Sequence, residues 1–190
     1  VADFDGKRVS VGPAGGTAAT YWPRYFEILG VSPEISYSGA NDAVSQVKDG
    51  LIDAFAFAAG VPIAAFAQIA AENDVNIFGF TPEQREQILA EMPEMAAFDA
   101  PGGLYDGFPD ESPTVAMWNF AIAHQDMPES LAYEITKLVM ENNDRMVQIH
   151  SAASETLPEN ADKNTFMPFH PGAVRYFDEA GIEIPDELRG

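Results

Sequence analysis

The sequence contains no cysteine. That excludes disulfides, thiol nucleophiles and thiolate metal sites, and leaves the redox compartment open. Positive charge is scarce: 10 Lys and Arg stand against 30 Asp and Glu, a formal net charge of −20. Such a field repels nucleic acid and anionic membrane, so neither is expected as a partner. Any anionic ligand has to be held by local donors acting against the global field. A saline habitat accounts for the acidity as well as a function does. No apolar run approaches the roughly 20 residues of a membrane-spanning helix, so no stable membrane insertion is expected. Histidine is limited to His124, His150 and His170, scattered and without H-E-x-x-H or comparable spacing. They read as surface or capping residues, and no metal site or cofactor is expected. No signal peptide is visible, but the chain begins at Val1 rather than Met, which is expected where an N-terminal segment has been removed.

What is present is ordinary globular composition. The 190 residues, 46% hydrophobic and 21% charged, suffice for one sizeable domain or two small lobes. "KRVSV" (Lys7–Val11) alternates and predicts a strand. A turn over Gly12–Gly16 and a helix to Leu29 follow, with Gly30 as its stop. Pro23 requires either a helix starting near Trp22 or a longer one kinked at the proline. "EISYSG" (Glu34–Gly39) predicts a second strand, and Asn41 an N-cap for a helix stopped by Gly50. The apolar Leu51–Gly60 suits a strand buried on both faces. A helix over Val61–Asn73, a strand over Val75–Phe80 and a helix opened by Thr81-Pro82-Glu83 and ending near Met92 continue the pattern. This alternation argues for an α/β fold with a mainly parallel sheet. Beyond Pro93, Phe98–Pro113 reads as loop or edge, Thr114–Ala123 as a long strand and Ser151–Lys163 as irregular. One long helix is expected over Met127–His150, capped by Asp126, and a short one over His170–Ile182.

Nucleotide chemistry is not supported. "GPAGGT" is neither G-x-G-x-x-G nor a P-loop, which needs a Lys-Ser/Thr pair. No G-x-S-x-G elbow occurs, and carboxylates are too abundant for any pair to stand out as catalytic. The turn itself is the chemically suggestive feature. Small residues at Ala14, Gly15 and Gly16 let a ligand approach backbone N–H groups, Thr17 adds a hydroxyl, and the helix start favours a carboxylate or phosphate. A plain strand-to-helix corner remains the alternative. Tyr21 and Trp22 are candidates to wall a pocket or to pack in the core; Arg24 pairs with an anion or sits in solvent.

"DFDGKRVSVGPAGGTAAT", "DAVSQVKDGLIDAFAFAAGVPIAA", "SPTVAMWNFAIAHQDMPESLAYEITKLVMEN" and "HPGAVRYFDEAG" occur in the order seen in TAXI-type solute receptors. The chain resembles these extracytoplasmic binding proteins of tripartite ATP-independent periplasmic (TRAP) transporters over nearly its whole length. The resemblance implies a type II periplasmic-binding-protein-like fold with a ligand cleft between lobes. It implies delivery of a small carboxylate (glutamate, glutamine or 2-oxoglutarate-like) to membrane permease subunits from a periplasmic location, and no enzymatic activity. It places ligand contacts at Gly12–Thr17, at a turn of Ala59, Gly60 and Pro62, and at Tyr105. Members of that family are longer, so residues 1–95 are expected to be the second lobe and 96–190 a crossover strand and C-terminal helices returning to the first, with the N-terminal part of that lobe lacking. "TYWPRYF" departs from the family's smaller-residue helix. An enzyme, or a sensory or interaction module on the same scaffold, is the alternative.

Overall fold

Residue Val9 is fully buried at the centre of a parallel sheet, and the first unit is built around its strand. The computed structural model describes residues 1–108 and 110–190. Strand β1 (Arg8–Ser10) pairs in parallel with β2 (Glu34–Ser36) on one side and β3 (Ala54–Phe55) on the other. Helices α1 (Thr17–Leu29) and α2 (Ala40–Lys48) form the connections, and α3 (Ala64–Glu72) follows β3. Because side chains alternate across a strand, Val9 and Val11 face one side, where they pack with Phe26 of α1, Val31 and Ala56. Ser10 and its register partner Phe55 face the other, and Phe55 packs beside Val44 of α2 and Ala65 and Ile69 of α3. The result is the expected α/β arrangement with a parallel sheet between helices.

Helix α4 (Pro82–Glu91) starts as the sequence indicates. The Thr81 hydroxyl accepts the Gln84 N–H while the Gln84 side chain accepts the Thr81 N–H, a reciprocal capping box. An antiparallel hairpin of β4 (Ala96–Ala100) and β5 (Ser112–Ala116) completes the unit, which ends at Met117. The second unit, Trp118–Gly190, holds α5 (Glu129–Glu141), α6 (Asn143–Ile149) and α7 (Pro171–Glu179). Its core gathers Tyr133, Tyr176, Phe177, Ile184 and Leu188. Among the described residues, no helix is long and apolar enough to cross a membrane.

Several elements differ from expectation. Helix α1 runs from Thr17 through Pro23, the longer of the two expected alternatives, and ends as expected at Gly30, in the left-handed conformation at φ 66°. The second helix is capped by Gly39 rather than Asn41, and α3 begins at Ala64 rather than Val61. The expected strand over Leu51–Gly60 reduces to Ala54–Phe55, since Leu51 is exposed and Asp53 turns to an ion pair with Arg8. Val75–Phe80 forms no strand. Its Phe80 N–H bonds to the Pro113 carbonyl, but Pro113 has no N–H to return, so no ladder develops. Phe98–Pro113, expected as loop or edge, contributes an edge hairpin at both ends; Pro109 lies outside the described residues. The strand expected over Thr114–Ala123 stops at Ala116 because its partner β4 begins at Ala96, directly opposite. The long helix expected from Met127 starts after Pro128 and breaks at Asn142. There the Asn142 side chain donates to the Leu138 carbonyl at 2.8 Å, the position a continuing backbone would occupy. Asp126 caps no helix; its N–H donates to His124 Nδ1 at 3.2 Å. Ser151–Lys163 is two short 3-10 turns.

Candidate functional site

In an open parallel sheet, ligands bind outside the carboxyl ends of the strands, where the chain leaves a central strand for opposite sides. Here the order β2-β1-β3 creates that point between β1 and β3. The Gly12–Gly16 turn leaves β1 and the Ala56–Ile63 loop leaves β3, so both candidate turns issue from this edge. Gly12 has φ 79° and Gly15 φ 78°, a region that L side chains avoid. Gly12 also has no room for a side chain: a Cβ there would stand 3.0 Å from the Ala18 Cβ and 3.4 Å from the Phe57 ring.

The turn closes on itself through the Gly16 N–H, which donates to the Pro13 carbonyl at 2.9 Å. Gly16 is the N-cap of α1 and supplies no side-chain acceptor, and no acidic residue lies in the first turn. The helix start at Thr17 therefore retains its unpaired N–H groups and positive end. The same holds at α2, capped by Gly39; α3, capped by Ile63, has no side-chain cap hydrogen bond either, but its Ile63 N–H donates to the Tyr105 hydroxyl and its Phe66 N–H to the Ile63 carbonyl. Parallel pairing brings all three starts to one edge. Asp42 in the first turn of α2 partly offsets its positive end.

Tyr21 and Trp22 are engaged in packing. The Trp22 indole lies among Tyr25, Phe26 and Phe80, each with ring centroids 5.5 Å away. Its Nε1–H reaches the Phe57 carbonyl at 3.4 Å, linking α1 to the loop after β3. Tyr21 stacks on Tyr25 and carries the Arg24 guanidinium 5.5 Å from its ring centroid. Arg24 pairs with Glu94 at 2.9 Å. A hollow lined by Arg24, Glu27, Ile28 and Glu91 lies along the C-terminal half of α1, away from the turn. Two carboxylates and an arginine already paired make it unfavourable for an anion.

Tyr105 is buried, and its hydroxyl accepts the Ile63 N–H at 2.7 Å. It thereby fixes the end of the loop that carries Ala59, Gly60 and Pro62. Burial pushes the phenol above its ordinary value, opposed by the Ile63 N–H, which favours the charged form. The three histidines each accept, at Nδ1, the N–H two residues ahead: His124 from Asp126 at 3.2 Å, His150 from Ala152 at 3.2 Å and His170 from Gly172 at 3.1 Å. Among the described residues no group of three or more His, Asp or Glu could hold a metal ion.

Sequence reasoning passed over Ser10, Ser38 and Phe57. Ser10 is fully buried, and its Oγ lies 2.7 Å from the Ser38 Oγ. The Ser38 N–H donates to the Gly12 carbonyl at 3.1 Å, fastening the loop after β2 to the turn after β1. The alternation in "VSV", which sets Ser10 on the face opposite two valines, was the available signal.

A parallel α/β sheet with an open glycine turn and uncapped helix starts at its carboxyl edge defines a binding-protein-like unit. The chain belongs to the NMT1-like family, matched over residues 1–181. That family is related to periplasmic solute-binding proteins and is a binding-protein rather than an enzyme family, which implies a small-molecule ligand.

Proposed function

We propose that the chain is an extracytoplasmic solute-binding protein of the TAXI type, serving a TRAP transporter. It takes up a small organic acid or amino acid, of the glutamate, glutamine or 2-oxoglutarate kind, and delivers it to membrane permease subunits from the periplasm. The observation that carries this reading is the convergence of two helix starts, capped by Gly16 and Gly39 without side-chain acceptors, at the carboxyl edge of one parallel sheet. Backbone donors there suit a carboxylate, and they supply local attraction in a chain of net charge −20.

In this assignment Gly12, Ala14, Gly15 and Gly16 give the ligand backbone access, and Thr17 adds its hydroxyl. Gly60 and Pro62 form the neighbouring turn, Tyr105 holds that turn in place, and Tyr21 and Trp22 buttress the helix behind it. Residues 1–95 form the ligand-binding lobe, and 96–190 supply a crossover strand and C-terminal helices of the other; the exposed Leu131, Ile135 and Leu138 along α5 suit a helix that forms part of a larger body. The test is a thermal-shift screen of the chain against small carboxylates, followed by calorimetry with those that stabilise it. One acid or amino acid is expected to raise the melting temperature, and Thr17→Ala to reduce that rise. A flat response to every acid overturns the proposal.

A further inference from the structure

The ladder between β1 and β3 ends where the Ala56 N–H donates to the Ser10 carbonyl at 2.8 Å. Phe57 is the first residue past that bond. Since Ser10 and Phe55 are register partners, Phe57 falls two residues on, opposite Gly12. Its ring covers the side of Gly12 where a Cβ would stand, 3.4 and 3.6 Å from two ring carbons. Its carbonyl accepts the Trp22 Nε1–H at 3.4 Å. One residue of the loop after β3 therefore meets the glycine turn with its side chain and α1 with its backbone. Beyond it, Ala58, Ala59 and Gly60 are exposed, and among the described residues no hydrogen bond engages residues 58–62. The loop is hydrogen-bonded at its two ends, at Phe57 to Trp22 and at Ile63 to Tyr105.

Gly12 is the meeting point. On the β2 side its carbonyl accepts the Ser38 N–H at 3.1 Å; on the β3 side it lies under the Phe57 ring. The Trp22 indole is seated among Tyr25, Phe26 and Phe80, each with ring centroids 5.5 Å away, so its N–H is a fixed donor. At 3.4 Å its bond to Phe57 is longer than most N–H···O bonds, and a small displacement of Phe57 breaks it. Ring and carbonyl belong to one residue, so a shift of the glycine turn that pushes the ring also moves the carbonyl. Building on the solute-binding reading above, we infer that Phe57 is a positioning residue: it sets the loop bearing Gly60 and Pro62 against the glycine turn and transmits a change in that turn to the Trp22 indole. The two turns assigned to the ligand thereby move as one unit anchored on α1.

The test is amide hydrogen exchange of the full chain followed by NMR. Trp22→Phe keeps a ring beside Tyr25, Phe26 and Phe80 and deletes the donor; Phe57→Ala deletes the ring over Gly12 and keeps the carbonyl. Each is expected to speed exchange of the Gly16 and Ser38 amides about five- to tenfold, while the amide of the fully buried Val9 keeps its rate. The double variant is expected to exchange no faster than the quicker single variant, because both groups act through one contact. Phe57→Leu, which still covers Gly12, is expected to restore the slower rate. Effects that multiply in the double variant overturn the inference, as does equal acceleration at Val9, which would make Phe57 an ordinary packing residue. In a second arm the native chain and Phe57→Ala are titrated with glutamate, glutamine and 2-oxoglutarate. The Trp22 indole N–H resonance is expected to move together with the Gly15–Thr17 amides in the native chain, and the amides alone to move in Phe57→Ala. An indole that stays still while those amides move overturns the coupling. If no acid moves any resonance, the solute-binding reading fails, and the exchange rates still decide the coupling, so the two failures are distinguishable.

Discussion

The Tyr105 hydroxyl accepts the Ile63 N–H at 2.7 Å, joining the segment between β4 and β5 to the residue that caps α3. Phe66 and Phe108 pack edge-on against the same ring, 5.8 and 5.9 Å away. Tyr105→Phe keeps this aromatic packing and deletes only the acceptor. The Ile63 N–H is then left without its partner in a half-buried setting, a loss of about 1–2 kcal/mol. Urea denaturation followed by tryptophan fluorescence should show a lower midpoint with an unchanged slope. An unchanged midpoint would mean that water replaces the phenol freely and that the loop is held by other contacts.

The parts of this fold that were legible in the sequence are those set by local chemistry. Thr81-Pro82-Glu83-Gln84 contains its own capping box, and Gly30 ends α1 because a left-handed residue is needed there. Elements that depend on a distant partner were not legible. Val75–Phe80 has strand composition, yet the chain it runs beside presents Pro113, which cannot return a hydrogen bond. Thr114–Ala123 is mostly apolar but is a strand only as far as β4 extends. Asn142 breaks a helix whose apolar spacing continues past it, because its side chain competes for the Leu138 carbonyl. At the candidate site, the glycine turn was visible as punctuation. The Ser10–Ser38 contact was not, since it arises only when the parallel register sets β2 beside β1.

Acid should loosen the amino-terminal edge of the sheet at Asp53. The Arg8 side chain donates to both carboxylate oxygens, at 2.7 and 3.1 Å, and the Arg8 N–H adds a third bond at 2.9 Å. The Arg8 side chain first, and its backbone N–H second, hold the carboxyl down at about 2 from an ordinary 3.8. A depressed carboxyl favours the folded state above its unfolded value, so the contribution is complete above about pH 4 and disappears as pH falls towards 2. Asp53→Asn should flatten the fall of stability across that window, by the uptake of up to about one proton. The two groups are largely exposed, so salt should shrink the difference. Stability curves for both proteins at pH 5, 4, 3 and 2 provide the measurement; parallel curves would exclude this pair from the acid response.

Gly172 marks the tightest approach in the second unit. A side chain on it would collide with the Glu129 carbonyl, stand 2.7 Å from the Tyr133 N and 2.9 Å from the Ala132 Cβ, all in α5. Backbone cannot rotate out of the way as a flexible side chain can, so α7 would have to shift away from α5. Gly172→Ala should destabilise this unit by roughly 1–3 kcal/mol despite the better helix propensity of alanine. Amide hydrogen exchange of α5 and α7 should accelerate while β1–β3 keeps its protection. Acceleration throughout the chain would instead point to a single cooperative unit.

Pro23 sits at the seventh position of a 13-residue helix. It has no N–H to donate to the Ala19 carbonyl, and an interior proline ordinarily weakens a helix by about 3 kcal/mol or more. The neighbours are committed elsewhere: Trp22 to Phe80 and the Phe57 carbonyl, Tyr25 to the Met95 Sδ at 3.5 Å, and Arg24 to Glu94. None of these contacts passes through the proline ring. Pro23→Ala should therefore restore the missing hydrogen bond and raise stability by about 1–3 kcal/mol, with a higher melting temperature and greater ellipticity at 222 nm. Loss of stability would show that the ring itself packs or that the bend it imposes aligns Trp22 with Phe80. Ligand affinity separates those two causes. If the bend sets the direction of the helix start, the alanine variant weakens binding at Gly15–Thr17 as well, whereas simple loss of packing leaves that affinity unchanged.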